Sequence, residues 1–306
     1  MKQIKGNATI VDDFLKEVKK HGTDGFPFAA YLDDFSDFHN GFICWHWHDE
    51  VQITLIVEGE FTCQIGSEKI TMGPGESIFI NSGAFHEICP CKKMTGKLYS
   101  FIWRADMLAG NVTCDVYTEC IKELVDSDYK YYFFDKNNTI CKQLQAALLR
   151  IAFLVSEKPL YYQLRVYNQL SKIWLDICDQ IRLSGEKNNT LSHATYMHRM
   201  KDKERLRNAL QYMQTHYNEN ISLDEIAKAA MTSRSELCKS FKRTLDTSPK
   251  EFLLKYRIRQ SMILLEDISF RISDIAEMTG FSSPSHFGAC FQKYVGCTPL
   301  QYRKNI

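Results

Sequence analysis

No apolar run in this 306-residue sequence approaches the roughly 18 residues needed to cross a bilayer, so no membrane-spanning helix is expected. The opening MKQIKGNATIVDDFLKEVKK lacks the apolar stretch and small residues of a secretory leader, and the chain is expected to be cytoplasmic. Its 11 cysteines include no CxxC pair and, without an export signal, read as reduced thiols rather than a disulfide framework. Net charge is also small, at +1, but it is unevenly placed. Residues 190–306 hold 18 Lys and Arg against 12 Asp and Glu, a net +6, and residues 1–189 a net −5. A basic C-terminal part on a mildly acidic remainder directs an anionic partner to the former alone. The length suits two domains, each large enough for its own core.

From about Gly41 to Trp103, short runs rich in β-branched and aromatic residues (VQITLIVEGE, FTCQIGS, EKITMGPGE, SIFINSG, KLYSFIW) are punctuated by glycines. Such spacing predicts an antiparallel barrel or sandwich. After about Thr139, ICKQLQAALLRIAFLV and YYQLRVYNQLSKIWLDICDQI carry apolar residues at three- and four-residue intervals, which predicts two amphipathic helices broken at Pro159. The polar SGEKNNTLSH, residues 184–193, reads as a linker, and everything beyond it as helical. The expected fold class is therefore α+β. Residues 1–183 form a β-barrel with following helices, 184–198 a linker, and 199–306 an all-α domain.

That last part contains one structural unit twice. ISLDEIAKAAMTSRSELCKSFKRTLDTSPKEF matches RISDIAEMTGFSSPSHFGACFQKYVGCTPLQY: Leu237 with Phe287, Phe241 with Phe291, Pro249 with Pro299 and Phe252 with Tyr302. These pairs stand 50 positions apart, whereas Ile226-Ala227 and Ile275-Ala276 stand 49 apart, so the second copy carries one extra residue near Gly280-Phe281. Ser222-x-x-Glu225, Ser233-x-x-Glu236, Ser248-x-x-Glu251 and Thr298-x-x-Gln301 fit the capping-box pattern, in which side chains satisfy the orphan amides of a first turn. Pro249, Pro299 and Pro284 sit where a helix's first residue needs no N–H. Each copy thus reads as a helix, a tight turn and a second helix, with Ile226, Ala227, Leu237 and Phe241, or Ile275, Ala276, Phe281, Phe287 and Phe291, as the seam. A helix-turn-helix pair of this kind places its second helix in a major groove, and the helical stretch 249–268 would join two such readers rigidly.

The series Ile275-Ala276…Gly280-Phe281…Phe287…Phe291…Gly296-x-Thr298-Pro299…Tyr302-Arg303 resembles the signature of the AraC/XylS family of bacterial transcription regulators, over about Arg205 to Lys304. Asp246 departs from it, standing where the first unit often has Gly. The resemblance implies a sequence-specific regulator, not an enzyme and without a cofactor. It implies double-stranded promoter DNA as partner, a small-molecule effector, a homodimer, and RNA polymerase if the protein activates. With the seam removed, Arg234, Ser235, Cys238 and Lys239 face outward in the first unit. Pro284, Ser285, Gly288 and Ala289 hold those slots in the second, with Ser283, His286, Gln292 and Lys293 beside them. Arg and Lys pair with guanine edges or phosphates, while Pro, Gly and Ala offer almost no hydrogen-bond readout. The first unit is therefore expected to discriminate bases, and the second to hold phosphates or read groove shape.

In the strand-rich part, Gly41-FICW-His46-Trp47-His48-DEV-Gln52-ITLIVE-Gly59, then Gly75-ESIFI-Asn81-SGAF-His86, resembles the paired motifs of a cupin barrel. The resemblance puts His46, His48 and His86 in metal-ligand slots, Gln52 where an acid is expected and Asn81 in place of a Pro. Glu50, two positions from Gln52, shares its strand face and is a candidate replacement. Three readings stay open: a catalytic metal site, an effector pocket formed by His46, His48, Gln52, His86 and Trp103, or satisfied core histidines. Trp45, Trp47 and Tyr99 read either as stacking surface or as core, and Cys89-Pro90-Cys91 as a loop after the strand. The stripe Leu144, Leu148, Ile151 and Val155 suits the protomer pairing that such helices perform in the AraC family. Two other classes compete with a regulator. One is a metal-dependent cupin enzyme with a helical tail, and the other a helical repeat that binds protein.

Overall fold

The computed structural model describes residues 16–35, 43–66, 68–91, 95–127, 129–184, 205–245 and 247–304. They fall into two units, one built on strands and one wholly helical, each described by itself. The linker expected at 184–198 lies, beyond Ser184, outside the described residues, as do Gly41 and Asp246.

In the first unit the strands are β1 (Phe28–Asp34), β2 (Ile43–His46), β3 (Val51–Glu58), β4 (Phe61–Ile65), β5 (Glu68–Met72), β6 (Ser77–Ile80), β7 (His86–Pro90), β8 (Lys97–Trp103) and β9 (Tyr131–Phe134). They form two antiparallel sheets, in the orders β1-β8-β3-β6-β9 and β2-β7-β4-β5, so the strand-rich stretch is a sandwich. β1 and β9 lie outside the stretch in which strands were expected. A short helix, α1 (Lys122–Val125), precedes β9.

The alternation of strand side chains makes two cores out of one sheet. Val51, Ile53 and Leu55 of β3, with Phe79, Phe101 and Trp103, point outward to helices α2 (Cys141–Glu157) and α3 (Tyr162–Leu183). Ile56 of β3, with Ile78, Ile80 and Leu98, points inward and meets Phe61, Cys63, Ile65 and Ile88 of the other sheet. Trp174 of α3 stands edge-on to Phe79 with ring centroids 6.2 Å apart, and its Nε1 donates to Cys120 O at 2.9 Å. Pro159 falls in the break between the helices, after Lys158 has closed α2 in the left-handed region at φ 47°.

The stripe assigned to pairing is used inside the unit. Leu144, Leu148 and Ile151 are fully buried in the outer core, so they have no surface to offer a second protomer, and Val155 is half-buried against it. The large apolar residues these helices leave exposed are others: Leu149, Phe153, Leu164, Leu175 and Leu183. Amphipathic spacing reveals that a helix buries a face, but not against what.

The second unit begins with a helix over residues 205–215 (α4), followed by α5 (Leu223–Ala229), α6 (Arg234–Leu245), α7 (Pro249–Leu265), α8 (Ile272–Met278), α9 (Pro284–Val295) and α10 (Pro299–Lys304). The expected caps form, though not all as full boxes. Ser222 with Glu225 and Thr298 with Gln301 are reciprocal, and Ser233, Ser248 and Ser283 each accept from the amide three residues on. Every seam residue of both copies is buried. The connecting helix α7 ends at Leu265, short of 268. Arg303 of the signature donates to Leu265 O and Phe270 O, satisfying carbonyls at that end.

The turns after α5 and α8 share one geometry. Met231 N donates to Lys228 O and Thr232 N to Ala227 O; Gly280 N donates to Glu277 O and Phe281 N to Ala276 O. This places the extra residue of the second copy at Ser282. Both turns need a left-handed residue, at φ 76° for Gly280 and 49° for Met231. A Cβ on Gly280 would stand 2.7 Å from Tyr217 O, so glycine is required there. Met231 is 72% exposed and holds the strained conformation with little packing in return. Met231→Gly should therefore stabilise the protein by about 0.5–1 kcal/mol, the left-handed penalty relieved less the added entropy of unfolded glycine. Thermal melts check this, and a lower midpoint would contradict it.

Candidate functional site

Two constellations stand out, one in each unit. In the sandwich, His46 on β2 is the register partner of His86 on β7, so the two imidazoles share a face, with ring centroids 4.1 Å apart. His48 follows β2, 5.2 Å from the His86 ring. One ring nitrogen from each of the three lies within 4.8 Å of the others, and all three residues are buried. Gln52 enters from the other sheet, its Oε1 3.0 Å from His48 Nε2 and its Nε2 donating to Thr54 Oγ1 at 2.8 Å. Four of the five residues read as a pocket are thus brought together.

The fifth, Trp103, is not among them. It lies on the opposite face of β8 from Ser100 and Ile102, fully buried against the helices, because its position in the strand has the other parity. Glu50 lies just ahead of β3, and its backbone carbonyl accepts a hydrogen bond from His48 Nδ1 at 3.0 Å. Asn81, in the slot of the expected Pro, donates through Nδ2 to Leu124 O and Tyr129 O at 2.8 Å and so fixes the chain before β9. Cys89 and Pro90 belong to β7 rather than to a loop, and Cys91 follows directly. The ten cysteines whose side chains are described are free thiols.

The acid near the histidines is Glu17, which sequence reading missed. Glu17 N donates to Trp47 O at 2.8 Å, tying this segment beside the end of β2, and Lys16 lies over the Trp47 ring on the outer side. Alternation then turns Glu17 inward with His46 and His48. Its Oε2 stands 3.2 Å from His21 Nε2 and 3.9 Å from His46 Nε2, and the side chains of Glu17 and His21 are fully buried. Burial pushes the Glu17 carboxyl up, but His21, close beside its Oε2, and the other nearby imidazoles more than offset this, leaving it below its ordinary range. Burial pushes His48 down, and pushes His86 well down with help from His46 and His48, which favours the neutral form of both. Tyr31, whose hydroxyl is 3.1 Å from His21 Nδ1, is raised to about 12 by burial and then by Glu17.

The hydrogen bonds test whether these residues suit a divalent ion. A carbonyl only accepts, so His48 Nδ1 and His86 Nδ1, facing Glu50 O and Ala84 O, carry the protons. Each Nε2 then presents a lone pair to the interior, and His86 Nε2 has no hydrogen-bond partner among the described residues. Carbonyl-oriented imidazoles of this kind are how metal-binding histidines are held. The triad fits a cation.

In the helical unit the outward face of α6 presents Arg234, Ser235, Lys239, Lys242 and Arg243 exposed, with Cys238 half-buried. Lys242 and Arg243 extend the basic face beyond the residues read from the sequence. Arg234 makes a two-pronged ion pair with Asp224 of α5, which orients its guanidinium. On α9, Pro284, Ser285, His286, Ala289, Gln292 and Lys293 are exposed and Gly288 half-buried, with nothing within 4 Å of where a Gly288 Cβ would stand. Ser283 Oγ is occupied as the helix cap, although its hydroxyl proton remains available to an anion.

Comparison with known proteins gives the following. Residues 226–305 match a helix-turn-helix domain family and residues 39–91 a cupin domain family. The chain is 31% identical over 297 residues to the HTH-type transcriptional regulator YdeC of Bacillus subtilis (strain 168), covering 96% of this chain and 98% of that one. It is 22% identical over 269 residues to the melibiose operon regulatory protein of Escherichia coli (strain K12), covering 85% and 83%. Among solved structures, a transcriptional regulator with an AraC-type DNA-binding domain from Chromobacterium violaceum aligns at 32% identity and TM-score 0.32, over 33% of this chain and 89% of that one.

Proposed function

The chain belongs to the AraC family of helix-turn-helix transcription regulators, and from that premise we propose how its two units divide the work. It is a sequence-specific DNA-binding transcription regulator. The helical unit binds promoter DNA through α6 and α9, which α7 holds for successive major grooves about 34 Å apart. α6 discriminates bases through Arg234, Ser235, Cys238 and Lys239. α9 holds phosphates and reads groove shape through Ser283, Ser285, His286, Gln292 and Lys293. The observation that carries this reading is the pair of matching frames with unlike outward faces: where α6 carries Arg234, Cys238 and Lys239, α9 carries Pro284, Gly288 and Ala289.

The sandwich, within residues 1–183, senses a small-molecule effector in the interior lined by His46, His48, Gln52 and His86. The effector acts by binding two protomer arrangements with different affinity. The protein works in the cytoplasm as a homodimer, paired through the apolar residues that α2 and α3 leave exposed, and meets RNA polymerase where it activates. Residues 184–198 link sensor to reader.

The test is the salt dependence of binding to duplex DNA. Each phosphate neutralised contributes about −0.9 to the slope of log K against log salt, so Lys242, Arg243 and Lys293, the outward cations not assigned to bases, give roughly −3 per chain. A slope near zero, or no affinity for duplex, would mean that the helical repeat binds something other than DNA.

A further inference from the structure

Away from the histidines, Cys120 and Cys178 line one cavity of about 30 Å³, room for about two waters, beside Leu124, Ile181 and Arg182. A space so small brings together two thiols that are 58 positions apart in sequence (178 − 120). Cys120 is exposed, on the turn of π-helix Val116–Ile121 just ahead of α1. Cys178 is half-buried on α3, one helical turn after Trp174, whose Nε1 holds the Cys120 carbonyl at 2.9 Å. Trp174 and Cys178 share a face of α3, so that bond seats Cys120 against the helix face that carries the second thiol. Other partly accessible thiols of this unit are engaged: Cys89 with Thr62 O, Cys91 with Thr62 Oγ1 and Cys114 with Ala109 O. The sulfurs of Cys120 and Cys178 have no such partner among the described residues. The two walls also differ in freedom. Leu170, Ile173, Trp174 and Ile177 anchor α3 in the outer core, whereas Ile121 is the one buried residue of the π turn, a form common at functional sites.

We propose that Cys120 and Cys178 are a redox-reactive pair, which a hydroperoxide converts to a disulfide that ties the Val116–Ile121 turn to α3 and alters DNA binding. The exposed Cys120 reacts first. Its thiolate attacks a peroxide oxygen and the O–O bond breaks, leaving a sulfenic acid and a hydroxide that takes up the proton Cys120 released. The Cys178 sulfur then attacks the Cys120 sulfur, the S–O bond breaks, and the oxygen leaves as water with the Cys178 proton. Two thiols and one hydrogen peroxide give one disulfide and two waters. Burial raises the Cys178 thiol to about 11, against the pull of Arg182 one turn on, which keeps it protonated and leaves the first attack to Cys120. The bond acts on more than its own turn. Asn81 Nδ2 donates to the carbonyls of Leu124 and Tyr129, and the Tyr129 hydroxyl meets Ser184 Oγ at 3.1 Å where α3 ends. Drawing the turn onto α3 therefore acts on the end of the helix from which the chain runs on toward the reader. The effect on DNA rests on the regulator reading; the disulfide itself does not.

The experiment treats the reduced full chain with hydrogen peroxide, alkylates the remaining thiols and maps disulfide-linked peptides by mass spectrometry. Two of the 11 thiols should be lost per chain, in one peptide pair joining Cys120 to Cys178, and regained with dithiothreitol. Cys178→Ser should leave Cys120 as a sulfenic acid trapped by dimedone, and Cys120→Ser, at an exposed position, should leave Cys178 a thiol. Affinity for duplex sites that the reduced protein selects from a random library should change roughly 5- to 150-fold on oxidation, the range of allosteric coupling. Cys120→Ser should abolish that change, which separates it from oxidation of Cys238 on α6. Peroxide that consumes other thiols while Cys120 and Cys178 stay unlinked overturns the pair, without any variant having to fold. A linked pair with unchanged duplex affinity overturns its effect on DNA binding. Reduced protein that binds no duplex fails the regulator reading alone, since the mapped bond is scored on the same samples.

Discussion

Phe241→Ala and Phe291→Ala are each expected to remove about 3–5 kcal/mol from the stability of the helical unit. Both rings are fully buried, and both do the same job one repeat apart. Phe241 stands edge-on to Phe252 with centroids 5.9 Å apart; Phe291 stands edge-on to Tyr302 at 5.5 Å. Each pair ties the second helix of its unit to the helix that follows, α7 in the first and α10 in the second. Truncation loses the buried surface, the aromatic pair and the filled volume together. Since a domain's whole stability is about 5–15 kcal/mol, DNA binding should fall with the folded fraction. Urea denaturation reads the effect. The two losses should agree within about 2 kcal/mol, the spread that packing context gives at fixed chemistry. A loss below 1 kcal/mol at either site would show that the seam is not built as described.

Arg234→Ala is expected to weaken binding roughly 5- to 150-fold at one base position and to relax specificity there, while sites altered in the other half are bound as before. Arg234 is exposed and already oriented by Asp224, and an exposed ion pair is weak enough to be exchanged for a guanine edge. On α9 the contrast is Lys293→Ala, which should weaken all sequences alike, as loss of a phosphate contact does. Gly288→Ala refines the comparison. A Cβ there meets nothing within the protein, so the fold should gain about 0.5–1 kcal/mol from the better helix former. Weaker binding despite that gain would mark a close approach of the α9 backbone to DNA. The measurement is affinity for a panel of single-base variants in each half-site. If Arg234→Ala weakened every variant equally, α6 would be a phosphate clamp and the division of labour between the units would be wrong.

How much of this was legible depended on the range of the interactions. The caps at Ser222, Ser248 and Thr298 and the seam from Ile226 to Phe291 are local, so three- and four-residue spacings carried them into the structure unchanged. The shared left-handed turn was hidden on one side, because Met231 holds a conformation that its residue type does not advertise. In the sandwich, two-residue alternation brought His46, His48, Gln52 and His86 together, but the same rule applied to β8 sends Trp103 the other way. Glu17 was out of reach, since only its pairing with Trp47, 30 residues on, turns it toward the histidines. For Leu144, Leu148 and Ile151, an apolar stripe gave burial without naming the partner, which is the unit's own sheet.

The most direct test of the central claim is selection of bound sites from a random duplex library by the full chain, followed by sequencing. Two unequal readers on one connector predict enriched sites with two half-sites about 10–10.5 base pairs apart, centre to centre, one of them defined more sharply than the other. Recovery of sites with no sequence preference would contradict it.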